Sequence, residues 1–505
     1  MTTPTGSPTP ASPPASTPTP LHLSGNNAPV AAEVTHRPSE VTGTVPKELC
    51  GQFFRNGPNP RSGWSPHFFA GDGMLHTVAL ADGHATWYRN RYVRTPLHAQ
   101  PGASRFALAF DPATSRIDYR VTTANTHLIA HAGRLFALEE GGFPYEVTPD
   151  LATLGVFTFD GALTTPMTAH PKTCPLTGEL HFFGYRLRPP YLTYYRVSAA
   201  GEVLQKQTVD LPQAVMMHDF ALTAHHVVFM DLPVVFDADR AAAGGPPWRW
   251  DDGHHARFGI LPRTGDAARV RWFDIAPCYV WHTMNAFETD GTITLTGTRV
   301  PTLWRQGPQD LSGGLPTLHQ WVLHLATGKV TEAPLDDTPS EYPRIADTAI
   351  GLPHRYGYTA GFTLDAEPRH TEIYKYDLTH GARRSTHRFP AGHLCGEPVF
   401  VPRSPTAPGQ ESSQEPGQES GQESGKESGK ESGREDDGYL LTFAHDRSRG
   451  TSYLAVLDAA DLGAAPVAEV HVPVRIPAGF HGNWVPGAPR LASEFPAAAG
   501  ALNGP

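Results

Sequence analysis

The sequence predicts an all-β chain built of repeated four-stranded units, a β-propeller, and three observations carry that reading. From Glu48 onward the chain is made of short β-type runs broken by Gly, Asp and Pro turns. Examples are HTVALADGHATWYRNRYV, HLIAHAGRLFALEE, HDFALTAHHVVFMDLPVVF, MNAFETDGTITLTGTRV and GYLLTFAHD. Long stretches with a 3.6-residue apolar period are hard to find, so helices have little to build on. Several hairpins then share one plan: a Tyr/Leu/Val-rich strand, a turn closing on Gly, and a second strand. They are YYRVSAAGEVLQKQTVDL, WVLHLATGKVTEAPL, YKYDLTHGARRSTHRF and, more loosely, YLAVLDAADLGAAPVAEVHV. The turn glycines Gly328 and Gly381 are 53 residues apart, and Gly201 lies 127 residues before Gly328. A loose period of that size suits four-stranded blades with variable loops. Roughly 440 residues divided into blades of about 50 to 60 gives seven or eight of them.

Residues 1–30 are Thr, Pro, Ser and Ala with almost no large apolar side chains, and are expected to form a disordered leader. Residues 31–505 read as a single propeller domain, interrupted at about 405–436 by a run of Gly-x-Glu-Ser units. That run has no apolar group to bury, so it cannot offset the entropy of ordering and is expected to be a mobile surface loop. The net charge of −10 and the lack of a basic stripe argue against nucleic acid as a partner. The four cysteines, Cys50, Cys174, Cys278 and Cys395, form no Cys-x-x-Cys pair and read as unpaired thiols of a reducing compartment. There is no run of about 18 apolar residues, and the first residues lack a charged and then apolar signal. A cytoplasmic protein is expected.

The chemistry starts from TAHPKTCPLTGELHFFGY. Pro171 pushes His170 toward an extended backbone and cannot donate to a ladder, which sets His170 at a strand end. Three more of the 26 histidines share this setting: His218 in VMMHDFALT, His282 in CYVWHTMNAFE and His481 in PAGFHGNWVP. They follow one another at 48, 64 and 199 residues, so no local metal motif is present. Inner strands of different blades converge on the axis of a propeller, and would bring such distant residues together. Four neutral imidazoles without carboxylate or thiolate suit a divalent iron that keeps positions open. Read from residues alone, the same histidines also suit hydrogen-bonded core positions at strand ends.

These four motifs, in this order, resemble those of the carotenoid cleavage oxygenases, a family that includes the apocarotenoid and retinal-forming oxygenases and the lignostilbene dioxygenases. Further matching stretches are GQFFRNGPNP at Gly51, FFAGDGMLH at Phe68, NRYVRT at Asn90, ANTHLIAHAGRLFALEEGGFPYEV, SEYPRI and GEPVFVPR. Only the leader and the Gly-Glu-Ser insert fall outside the resemblance. It implies a seven-bladed propeller whose loops form a dome over an axial Fe(II) held by His170, His218, His282 and His481. It also implies that Glu140, Glu341 and Glu397 accept the outer N–H of ligand imidazoles, fixing their tautomers, with the fourth imidazole lacking such a partner. Thr126 matches a residue whose methyl group crowds one open iron position.

The implied reaction is oxidative cleavage by O2 of a conjugated C=C bond in a carotenoid or apocarotenoid, giving aldehyde or ketone products. Such a polyene needs an apolar tunnel, and Trp281, Phe480, Phe68 and Phe69 sit in matching motifs as its walls. Position 139 departs from the pattern. Many carotenoid-cleaving members carry a tryptophan there and stilbene-cleaving members a lysine, where this chain has Glu139. A polar contact to a substrate hydroxyl or aldehyde is one expectation for it, exposure to solvent the other. The missing lysine weakens the alternative of a lignostilbene-type dioxygenase. Intact ligand positions weaken that of a metal-free propeller serving as a binding module. A substrate drawn from a bilayer implies transient peripheral membrane contact.

Overall fold

The computed structural model describes residues 19–487 apart from 115, 243–246, 308–309, 311, 365–367 and 405–433. Among these, the strands form seven antiparallel blades. The first contains Gly51–Pro58, Gly73–Ala81 and His84–Tyr92, and takes its inner strand, Gly482–Pro486, from the far end of the chain. The second runs outward from His127–His131 to Thr153–Val156, the third from Lys172–Thr173 to Val203–Val209, and the fourth from Ala221–Leu222 to Arg271–Asp274. Blade five starts at Tyr279–Thr289. Its outer strand is the first part of Val330–Arg344, whose last part becomes the inner strand of blade six. Blade seven builds from Val399–Pro402 through Gly438–Asp446 and Thr451–Asp458 to Ala468–Val472.

Apolar packing between neighbouring blades closes the ring. Phe54 and Leu75 of blade one meet Leu128 and Tyr145 of blade two, Phe136 meets Phe182 and Tyr195 of blade three, and Phe183 meets Phe229 of blade four. Phe258 meets Trp321 of blade five, Leu318 meets Tyr376 of blade six, Tyr358 meets Tyr453 of blade seven, and Leu454 returns to Phe53 and Val78 of blade one. Both faces of a central strand are therefore covered, so Leu180–Tyr185 and Gly438–Asp446 are buried at every residue. Continuous apolar runs replace simple alternation there. The outer strand Val203–Val209 has a solvent side and alternates.

The recurring hairpins of the sequence are the outer pairs of blades three, five, six and seven. Gly201, Gly328 and Gly381 turn them at φ of 93°, 75° and 67°, a conformation that costs glycine little. The structure differs from expectation at two boundaries. Residues 1–18 of the expected leader lie outside the described residues, but 19–30 are structured: Leu23 is buried, and the Asn26 carbonyl accepts from the Ala478 N–H at 2.8 Å. Two leucines in LHL supply the apolar surface that the preceding Pro/Thr/Ser run lacks. Most of the insert, 405–433, also lies outside the described residues. Its expected end at 436 falls within folded chain, since buried Asp436 pairs with Lys375 at 2.5 Å and Glu435 accepts the Tyr356 N–H at 2.8 Å.

Candidate metal centre

Each of the seven inner strands carries, within it or just ahead of it, one polar residue of the candidate site. Thr126 immediately precedes His127–His131, His170 precedes Lys172–Thr173, and His218 precedes Ala221–Leu222. His282 lies within Tyr279–Thr289 and Glu341 within Val330–Arg344, while Glu397 precedes Val399–Pro402 and His481 precedes Gly482–Pro486. The four histidines converge, with donor atoms that all lie within 4.8 Å of one another. His170 Nε2 is 3.0 Å from His218 Nε2, which is 3.2 Å from His282 Nε2. The His481 ring centre is 4.5 Å from that of His170 and 4.8 Å from that of His282.

This arrangement fits a metal ion. His218 and His282 each donate their Nδ1–H outward, to Glu140 at 2.5 Å and Glu341 at 2.6 Å, so both Nε2 atoms face inward as bare lone pairs. Lone pairs held 3.2 Å apart repel unless a cation lies between them. Nitrogens about 2.1 Å from a common ion would have neighbours about 3.0 Å apart, close to the spacing seen. Burial, and then the neighbouring imidazoles, push His170 and His481 well below their ordinary pKa, keeping them neutral. Burial also pulls on His282, but Glu341 outweighs it and raises that ring above its ordinary value. Glu341, pushed up by burial, is in turn held low by His282, Thr298 and the Tyr342 N–H.

The third carboxylate, Glu397, takes the His481 Nδ1–H at 3.0 Å and the Gly482 N–H at 2.7 Å. Glu140 also accepts from Tyr185 Oη at 2.7 Å, and Glu341 from Thr298 Oγ1 at 2.5 Å. Among the described ion pairs, these three carboxylates serve His218, His282 and His481, and none serves His170. Thr126 turns its hydroxyl to Asn125 Oδ1 at 3.1 Å, and its carbonyl accepts the His481 N–H at 3.2 Å. Beside it His127 donates Nδ1–H to the Ala169 carbonyl. Burial, reinforced by His481, pushes its pKa down to about 3.

A family model described as retinal pigment epithelial membrane protein matches residues 27–486. The chain belongs to that family. Among curated relatives, a carotenoid cleavage oxygenase of Mycobacterium tuberculosis is 36% identical, covering 92% of this chain and 97% of the relative. A carotenoid 9,10(9',10')-cleavage dioxygenase 1 of Phaseolus vulgaris is 33% identical over 92% and 89%. Among solved structures, the lignostilbene dioxygenase of Pseudomonas brassicacearum superposes with a TM-score of 0.80 at 30% identity, over 94% of this chain and all of that one. A cobalt-substituted Synechocystis ACO superposes at 0.75 and 24% identity, over 91% and 97%.

In this member of the retinal pigment epithelial membrane protein family, a cluster of aromatic side chains adjoins the imidazoles through Trp281. Trp281 stands edge-on to His218 with ring centres 5.1 Å apart, Phe69 stacks on Trp281 at 6.0 Å and on Phe480 at 5.7 Å, and Phe68 meets Phe480 at 5.0 Å. Trp304, outside every sequence motif, joins them 5.4 Å from Trp281. Glu139 is half-buried, and both of its oxygens are engaged: Oε1 by Arg105 Nη1 and the Gly141 N–H, Oε2 by Arg105 Nη2 and Thr122 Oγ1. A carboxylate with a cation and two further donors has little reason to leave them. Its partner Arg105 lies 34 residues upstream, where nothing in the sequence marked it. All four cysteines are free, and among the described residues no helix is long and apolar enough to cross a membrane.

Proposed function

We propose that this protein is a non-haem Fe(II) dioxygenase that cleaves a conjugated double bond of a carotenoid or apocarotenoid with O2. The observation that carries the reading is the ring of four imidazoles, three of them backed by buried or half-buried carboxylates, with no thiolate or carboxylate facing inward. A borderline-hard divalent ion such as iron suits that donor set, and relatives at 33–36% identity are carotenoid-cleaving enzymes.

A bound Fe(II) would supply the activation of dioxygen. His170, His218, His282 and His481 would hold the ion, and Glu140, Glu341 and Glu397 would fix the rings of His218, His282 and His481 in one tautomer and offset its charge. Thr126 narrows one approach from blade two. Trp281, Phe480, Phe68 and Phe69 exclude water and lay an apolar chain across the ring. Glu139 enters this scheme only through Arg105. Its ion pair shapes the wall beside Glu140, and the lysine that would engage a phenol in a stilbene cleaver is absent. The exposed Trp64, Phe69 and Phe106 support transient contact with a bilayer holding the substrate.

Purified protein reconstituted with Fe(II) and given an apocarotenal in air is expected to lose the polyene absorbance band and yield two carbonyl products by mass spectrometry. Turnover of a stilbene phenol with no loss of the apocarotenal would overturn the substrate reading. Flotation with liposomes tests the membrane contact, and a complete lack of binding would remove it.

A further inference from the structure

One buried carboxylate on the blade side of the imidazoles faces neither the ring nor solvent. Asp219, the residue after His218, has a side chain only 1% exposed. Its Oδ1 accepts from Lys172 Nζ at 2.8 Å and from the Phe220 N–H at 2.8 Å. Its Oδ2 accepts from the N–H and the hydroxyl of Thr283, at 2.8 and 2.9 Å. Four donors satisfy the carboxylate, leaving it no spare capacity to bind a ligand or move a proton.

What makes this contact informative is where its partners stand. Lys172 is two residues after His170, Asp219 one after His218, and Thr283 one after His282. These residues lie in or just ahead of the inner strands of blades three, four and five, which lie in separate sheets with no backbone ladder between them. Side-chain contacts must therefore fix how far apart the three imidazoles leave the main chain. Asp219 grips all three strands at once, and one further hydroxyl adds a lesser stitch. Thr168 Oγ1 reaches the His218 carbonyl at 3.2 Å.

We infer that Asp219 is a positioning residue, a clasp across three blades that sets the mutual spacing of His170, His218 and His282 and thereby how tightly and in what geometry the ion is held. The inference rests on the four-imidazole metal reading. A misplacement of about 1 Å is enough to cost a preorganised site roughly 100-fold, and this clasp acts at the roots of three ligands.

The test compares the parent with Asp219→Asn, Lys172→Met and Thr283→Val. Three measurements are made on each: the visible absorption of the Co(II)-loaded protein, the rate at which Fe(II) is lost to a chelator, and the melting temperature without metal. Asp219→Asn is expected to release Fe(II) at least about 10-fold faster, by analogy with the loss of partners that orient metal ligands, and to shift the Co(II) bands. Lys172→Met and Thr283→Val should follow in the same direction with smaller effects. A contact that only stabilises the fold would lower the metal-free melting temperature and leave bands and release rate at the parent's values; that result overturns the inference. Should Asp219→Asn not fold, the two milder variants decide by the same readouts. A parent that retains neither Co(II) nor Fe(II) would instead defeat the metal reading itself.

Discussion

The two sides of the imidazole ring are built by different means. On the blade side, hydrogen bonds donated to Glu140, Glu341, Glu397 and Asp219 tie each ligand or its neighbour to a fixed partner. On the open side, Phe69, Trp281, Trp304 and Phe480 meet through ring contacts alone, and Phe69 is 40% exposed. Directional contacts hold one geometry, whereas stacked rings tolerate small rearrangements. The difference teaches which task each side suits: directional bonds suit holding four nitrogens at one spacing, and stacked rings suit a surface that yields to what lies on it.

The largest break in that contrast is His282→Ala, which removes a ligand and strands Glu341. Retained metal and cleavage should both be lost, as read by metal analysis and polyene absorbance. Unchanged metal content would end the assignment. Glu341→Gln comes next. It keeps the size but loses the charge that holds the His282 tautomer, and metal affinity should fall by about 10- to 100-fold in a chelator competition, with KM for the polyene little changed.

An ion pair away from both regions supplies a reference for acid sensitivity. Burial pushes the Glu288 carboxyl up, but hydrogen bonds from His226, Thr223 and the His225 N–H outweigh it and bring the pKa down to about 2. A carboxyl depressed in the fold stabilises above its ordinary value of 4.5 and loses that contribution as the pH falls toward about 2. In urea titrations of metal-free protein, Glu288→Gln should flatten the decline across that window by about 1 to 2 kcal/mol once solvent screening at this half-buried pair is allowed for. A slope equal to the parent's would refute it. The smallest effect is expected from Phe69→Ala. At an exposed position, stability should change by no more than about 0.5 kcal/mol, while KM for the polyene rises and metal affinity stays put. An equal loss of metal would show the two sides to be coupled.

How much of this was legible in the sequence depended on distance along the chain. The outer hairpins announced themselves through Gly201, Gly328 and Gly381, because turn and strands are contiguous there. Inner strands such as Lys172–Thr173 and Ala221–Leu222 have two residues each, too few for any periodicity, so the blade count from spacing alone stayed at seven or eight. The four histidines stood out by their shared setting at strand ends, and the resemblance supplied their role and the three glutamates. Which glutamate meets which histidine depends on how blades lie side by side, and only the structure pairs Glu140 with His218, 78 residues away. The Glu139–Arg105 pair and Trp304 stayed hidden for the same reason. Asp219 was open to detection, since it adjoins His218 in VMMHDFALT, but a charged neighbour of a ligand reads equally well as a surface residue.

The strand that closes blade one, Gly482–Pro486, is also the strand that carries His481. Without this one segment blade one lacks its innermost edge and the cluster is left with three imidazoles. Sealing of the circle and completion of the four-nitrogen set therefore depend on the same few residues, so loss of the segment removes both together.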